Sequence, residues 1–244
     1  MDRLLPTTES METEDHPPSR FDFLAGEVLL INKPKGWTSF DVVNKLRNKL
    51  KQLLQVKNIK VGHAGTLDPM ATGLLIVCTG KATRRIDEYQ NLPKVYTGTM
   101  MMGAVTASYD AETEVEETFP IQHITPELLE QARLTFLGDL EQIPPMFSAI
   151  KVDGQPLYKK ARKGEHIAIA ARPVHISKFD LSRVELPEID FEVHCSKGTY
   201  IRSLAYDFGK ALQSGAYLSA LCRTAIGPHL LKDAWELEEL IRRL

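Results

Sequence analysis

The sequence predicts an α+β fold, a mixed and mainly antiparallel sheet flanked by helices and loops. Three observations carry this. Segments of strand character arrive in neighbouring runs, without a repeat and without regular β-α-β alternation. The run "TGLLIVCTG" (72–80) has the length of a strand and is apolar throughout, which suits a strand buried on both faces. Helical periodicity is confined to a few capped segments between those strands.

Taken in order, residues 1 to 25 are rich in Glu, Ser, Thr and Pro and poor in aromatics, the composition of a flexible acidic tail. "GEVLLINKP" reads as a strand stopped by Pro34. "TSFDVVNKLRNKLKQLL" is an amphipathic helix capped by Thr38 or Ser39, with Val42, Val43, Leu46, Leu50, Leu53 and Leu54 on one side. "NIKVGH" is a short strand, "KATRRIDEYQ" helical and "KVYTGTMMMG" a strand. The acidic stretch after it reads as a loop. "TPELLEQARLTFLG" places Thr125 at the cap, Pro126 at the first helical position and Gly138 past the end. "FSAIKVDGQPLY" is a strand and turn with a hairpin signal at Asp153-Gly154. "HISKFDLSRVEL" and "DFEVHCSKG" pair around Pro187. The chain closes with a helix (200–212), a strand (217–228) and the helical "WELEELIRRL".

Composition narrows the function classes. No run approaches the roughly 18 apolar residues of a membrane span, and the N-terminus lacks the pattern of a secretory signal. Cys78, Cys195 and Cys222 stand far apart, as expected of reduced thiols in a cytoplasmic protein. Net charge is −2, yet Lys and Arg segregate into 33–60 and 158–164 while acid collects in the tail, 110–117 and 233–239. That segregation fits one basic face, or a set of solvated helix faces. "GLLIVCTGKAT" fails as a phosphate loop, because Gly73 and Gly80 enclose six residues and Ala82 stands where Ser or Thr must meet a metal. No histidine pair has zinc spacing, and no metal site is expected.

"GHAGTLDPMATGLL" (62–75) is the stretch with chemistry in it. Asp68 sits among glycines that permit unusual backbone, before a stiffening Pro69, between two apolar strands. Such a scaffold presents one side chain to a cleft; an acid that merely closes a turn is the plain alternative. No second carboxylate for a glycosidase-type pair presents itself.

The same stretch resembles the catalytic motif of the TruB-type pseudouridine synthases. "NKPKGWTS", "GKATRR", "KVYTG", "PPMFSAIKVDGQPLYKKARKG", "CSKGTYIRSL" and "YLSALCRTAIG" are similar to that family's other signatures, in order, over residues 26 to 228. Asn32 departs from the family's usual Asp. The resemblance implies a single catalytic domain over 26–244 that isomerises the uridine at position 55, in the T-arm loop of tRNA, without cofactor or metal. The nucleotide would be flipped out of the loop, at an unstacking cost of a few kcal/mol.

By resemblance Asp68 is the nucleophile, attacking C1′ of the ribose or C6 of the uracil, or acting as a base at C2′. Arg202 is its cationic partner, since burial alone would favour the neutral acid. Tyr96 stacks on the uracil and takes the C5 proton, Tyr200 and Leu221 complete the pocket, and His63 assists flipping. Lys33 and Arg84 bind the substrate, and Lys159, Lys160, Arg162 and Lys163 contact RNA phosphates within an RNA-gripping insertion around 143–174. An end at Leu244 suggests a bacterial short form without the C-terminal RNA-binding domain of longer relatives, acting as a monomer with no protein partner. An RNA-binding or tRNA-folding module with little catalysis is the alternative.

Overall fold

The computed structural model describes residues 21–152, 154–161, 163–165 and 167–244. The first elements follow the local signals closely. Strand β1 (Val28–Lys33) leads into helix α1 (Ser39–Leu53), then strands β2 (Val61–His63) and β3 (Thr72–Thr79). At the start of α1 the Thr38 hydroxyl accepts from the Asp41 N–H at 3.0 Å, and the Asp41 carboxylate accepts from the Thr38 N–H at 2.9 Å. This reciprocal box satisfies two otherwise orphaned donors. Val42, Val43, Leu46 and Leu50 are buried and Leu54 packs against the same cluster, but Leu53 is 46% exposed. The expected helix after β3 is a 3₁₀ turn over Gly80–Arg85 followed by α2 (Ile86–Asn91).

Strand β4 (Lys94–Met102) comes next. The acidic stretch read as a loop instead belongs to a small hairpin of β5 (Ala104–Thr106) and β6 (Val115–Thr118), with a turn between them that carries Asp110. Helix α3 (Pro126–Leu134) is capped by Thr125; it stops before Thr135, and Gly138, in a left-handed conformation at φ +88°, opens β7 (Gly138–Gln142). Strands β8 (Lys151–Val152) and β9 (Gln155–Pro156) form a hairpin whose expected turn residue Asp153 lies outside the described residues, and α4 (Leu157–Ala161) follows. Strands β10 (Arg172–Glu185) and β11 (Glu188–Cys195) pair antiparallel through a tight turn at Pro187. Helix α5 (Ile201–Ala211), strands β12 (Ala216–Ile226), β13 (His229–Leu230) and β14 (Trp235–Glu236), and helix α6 (Leu237–Arg243) complete the order.

Among the described residues one ten-stranded sheet runs β14-β1-β3-β12-β4-β11-β10-β7, with β2 on β3 and β13 on β12. Its pairings are antiparallel except β1 with β14 and β12 with β3. The sheet is therefore mixed and mainly antiparallel.

Period-two alternation divides the core. From β3, Leu75 and Val77 pack under α1 and α6, while Leu74, Ile76 and Cys78 face a second cluster with Tyr89 and Ile226. Burial on both faces is why this strand is apolar throughout. Farther along the sheet, β4, β10, β11 and β12 pack against α3 and α5. Phe179 meets Phe191, Phe136 and Phe208 edge to face, at centroid distances of 5.5 to 6.5 Å. The expected tail boundary at residue 25 lies too late, since Phe23 is buried in the cluster under α1 with Phe21 against it. Asn32, the departure from the family motif, faces Glu236 across the β1–β14 pair and donates to its carboxylate at 2.7 Å. An aspartate there would set two like charges side by side.

Candidate active site

Asp68 sits in the turn between β2 and β3, and the neighbouring motifs fasten that turn. The Ser39 hydroxyl accepts from the Leu67 N–H at 2.9 Å, the Gly36 N–H donates to the Pro69 carbonyl at 2.8 Å, and the Met70 N–H donates to Glu112 at 3.0 Å. Lys33 is expected to bind the substrate, yet the structure turns it inward. It is fully buried, with Nζ donating to the carbonyls of Pro34, Trp37 and Pro69 at 3.0, 2.6 and 3.4 Å. Burial pushes its pKa down to about 8, against the pull of Asp68. Its ammonium braces the loop from inside.

Arg202, in the first turn of α5, meets Asp68 through two parallel hydrogen bonds, Nε to Oδ2 at 2.9 Å and Nη2 to Oδ1 at 3.1 Å. The guanidinium is 4% exposed and the carboxylate 34%. Its other donors reach the carbonyls of Ser108 at 3.0 Å and Phe147 at 2.8 Å. A fork clamped on several sides has little freedom left to lose, which fixes the carboxylate plane.

A second carboxylate, which sequence reading did not find, shares this cation. Asp110 is 1% exposed, and its Oδ2 lies 3.5 Å from Arg202 Nε with no hydrogen-bond donor. Its Oδ1 accepts from the Ser108 hydroxyl at 2.5 Å and the Glu112 N–H at 3.0 Å. Burial pushes its pKa up, opposed by these bonds and by Arg202. In the sequence Asp110 is one of many acids in an acidic stretch; only the hairpin turn carries it inward.

Asp68, Tyr96, Tyr200, Leu221 and Arg202 line one cavity of about 720 Å³. Tyr96 and Leu221 come from the paired strands β4 and β12, and both are buried. Burial raises the pKa of the Tyr96 phenol, while the nearby Arg223 lowers it. Tyr200 precedes α5; its N–H donates to Gln142 at 2.7 Å and its carbonyl accepts from the Gln142 amide at 3.0 Å. Gln142, buried at the end of β7, thus sets where α5 begins, a role invisible without the β7–α5 contact.

The cavity lining carries five basic residues, Lys94, Arg172, Lys197, Arg202 and Arg223, against Asp68 as its lone acid. Sequence reading passed over Lys94, Arg172, Lys197 and Arg223, since cations scattered over 130 residues give no local signal. The lining suits a polyanion.

Other expected residues stand apart from this cavity. His63, at the end of β2, does not line it; burial and then Arg223 lower its pKa, and Nδ1 has no hydrogen-bond partner. Arg84 is exposed on the 3₁₀ turn. Lys159 and Lys160 lie on α4 and Lys163 just beyond it, outside the lining, although residues 148–150 and 172–174 of the same region border it. Arg162 lies outside the described residues. No grouping of His, Cys, Asp and Glu suited to a metal occurs among the described residues.

Comparison with known proteins agrees with this geometry. Residues 51–201 match the family described as TruB family pseudouridylate synthase (N terminal domain). A protein named tRNA pseudouridine synthase B from Flavobacterium johnsoniae is 54% identical over 217 residues, covering 88% of this chain and 95% of that protein. The protein of the same name from Parabacteroides distasonis is 53% identical over 219 residues, covering 90% and 93%. Among solved structures, a Cbf5-Nop10-Gar1 complex aligns with a TM-score of 0.67 at 28% identity, over 90% of this chain and 54% of that one. An H/ACA RNP bound to a substrate RNA containing 2′-deoxyuridine aligns at 0.64 and 26% identity, over 90% and 53%. The chain spans about half the length of those structural relatives and nearly all of the curated ones. From Asp68 and its clamp to these matches across most of the sequence, the chain belongs to the TruB family of pseudouridylate synthases.

Proposed function

We propose that this protein converts a uridine of tRNA to pseudouridine, and that the uridine is the one at position 55 in the T-arm loop. The observation that carries the reading is the Asp68–Arg202 pair, a carboxylate held by two hydrogen bonds at the wall of a cavity that Tyr96 and Leu221 also line. An aspartate can react with the nucleoside only when correctly aimed, and the bidentate guanidinium fixes its plane. The uridine flips out of its loop into the cavity, where Tyr96 stacks on the uracil and Leu221 keeps water out. Asp68 reacts with the nucleoside while the N1–C1′ bond breaks; the uracil turns and rejoins through C5; the C5 proton then leaves to Tyr96.

Arg172 and Lys197 at the cavity, with Lys159 and Lys163 farther out, meet phosphates and set the register of the RNA, with residues 143–174 as the gripping segment of one catalytic domain. His63 supports flipping from beneath the Asp68 loop. The protein works in the cytoplasm as a monomer. Among the described residues no helix is long and apolar enough to cross a membrane.

The test is tritium release from a tRNA transcript labelled at C5 of its uridines. Release by the wild-type protein, lost in Asp68→Asn and lost when position 55 carries cytidine, is the expected result. No release by the wild type sinks the reaction. Undiminished release from the cytidine transcript moves the target to another uridine.

A further inference from the structure

We propose that Arg223 is a positioning residue of the reaction, the counter-charge that stabilises Tyr96 as it forms the phenolate that removes the C5 proton. The inference rests on the reading of Tyr96 as the group that takes this proton. Arg223 is the direct cross-strand partner of Tyr96 in the β12–β4 pair, so both side chains leave the same face of the sheet. It is 1% exposed and lines the cavity with Tyr96 and Asp68. Its Nε donates to the Leu74 carbonyl at 2.7 Å, and its Nη2 to the Gly65 carbonyl at 3.0 Å, in the Asp68 loop itself.

The backbone is shaped around this side chain's strand. Gly73 stands opposite Arg223 at φ +103°, and a Cβ there would lie 2.4 Å from the Arg223 carbonyl oxygen. No carboxylate of the described residues lies within ion-pair distance of the guanidinium. Arg202 has its two acids, whereas Arg223 has carbonyls and the Tyr96 hydroxyl. A buried cation without an anion is costly, and an anion that forms at this place relieves that cost.

The Tyr96 hydroxyl is the ionisable group that the sheet register sets beside it. Burial holds the Tyr96 pKa above its ordinary value in the resting protein, Arg223 opposes this by charge and by a hydrogen bond, and Cys195 and Asp68 add to the rise. Arg223 lowers the cost of forming the phenolate in the buried site. The step is then complete in its atoms. The C5–H bond breaks and its electron pair forms the C5=C6 double bond; the N1=C6 pair moves to N1, which takes a proton from water (where Asp68 has added at C6, the C6–O bond breaks instead and frees the carboxylate), and the C5 proton passes to Oη of Tyr96. The phenol returns that proton to water after the product leaves. A neutral phenol with an ordinary pKa near 10 would be a poor acceptor.

The test uses single-turnover rates on T-arm stem-loops carrying uridine, 5-deuterouridine or 5-fluorouridine, the last of which has no C5 proton to lose. Arg223→Gln is expected to slow uridine conversion about 10²-fold. It should also reveal a 5-deuterium isotope effect larger than the wild type's, and move the rate optimum to higher pH. It should consume 5-fluorouridine at close to the wild-type rate. Arg223→Lys should restore most of the loss, and Arg223→Gln should add nothing to Tyr96→Phe. Equal slowing on uridine and 5-fluorouridine, without an isotope effect, makes Arg223 structural and overturns the proposal. An isotope effect in Tyr96→Phe but not in Arg223→Gln overturns it while leaving Tyr96 in place. No isotope effect in Tyr96→Phe refutes the role of Tyr96 itself. Should Gln at 223 prevent folding, Arg223→Lys carries the same two-substrate comparison.

Discussion

The Asp68 loop and the segment around α4 treat charge in opposite ways. In the loop, Ser39, Gly36, Glu112 and Lys33 tie down consecutive residues, and Arg202 holds the carboxylate by two bonds. Around α4 the elements are two-residue strands and a five-residue helix, and Lys159 and Lys163 are exposed. A group that makes and breaks bonds must be fixed to a fraction of an ångström, at the cost of several buried polar groups. A lysine that meets a phosphate needs only charge and reach. Substitutions should therefore act on rate in the first region and on salt-dependent affinity in the second.

The largest effect is expected at Asp68. Asp68→Asn should lower the single-turnover rate at least about 10³-fold, with RNA affinity near that of the wild type. A comparable loss of affinity would blur the contrast between the regions. Next comes Arg202→Met, expected to cost about 10²-fold in rate because the carboxylates of Asp68 and Asp110 lose their shared cation. It should also lower the urea midpoint, since Asp110 is left buried without a counter-charge. An unchanged midpoint would show Asp110 to be neutral in the folded protein.

Lys33 offers a smaller, pH-dependent effect. Its folded pKa of about 8 lies below the ordinary 10.5. Between these values the unfolded chain keeps a proton that the folded chain has released, so wild-type stability rises with pH through that window. Relative to Lys33→Met, the wild type should gain on the order of 1 kcal/mol between pH about 7 and about 9, read from urea melts. A gap independent of pH would show that the buried ammonium does not titrate there. The smallest effect belongs to α4 and the residues after it. Lys159→Ala with Lys163→Ala should weaken tRNA binding and flatten the plot of log affinity against log salt by about 1 per lost contact, with the rate at saturation unchanged. An unaltered slope would mean that these lysines are solvated and touch no phosphate.

The elements most legible in the sequence are those whose cause is local. Thr38 and Asp41 announce the start of α1, Thr125 and Pro126 that of α3, and the unbroken apolar run of β3 its burial. Local rules fail where distant packing intervenes. Leu53 fits the helical stripe yet is exposed, Phe23 lies in a polar tail yet is buried, and an acidic stretch forms a hairpin that delivers Asp110 to the site. Lys33 misled for the same reason, because a lysine in a basic segment reads as solvated until its carbonyl partners are known.

The sequence by itself determined the chemistry available: a lone aspartate on a rigid turn, an arginine at a helix start and a tyrosine on a strand, each with a recognisable motif around it. The tertiary structure decided which groups meet. Asp68 and Arg202 are 134 positions apart, and Tyr96 faces Arg223 only through the register of two strands distant in the chain. Propensity and capping act over a turn or two of backbone. Strand order and register are set by burying the whole sheet at once, so the partners of a buried charge emerge only when that sheet closes.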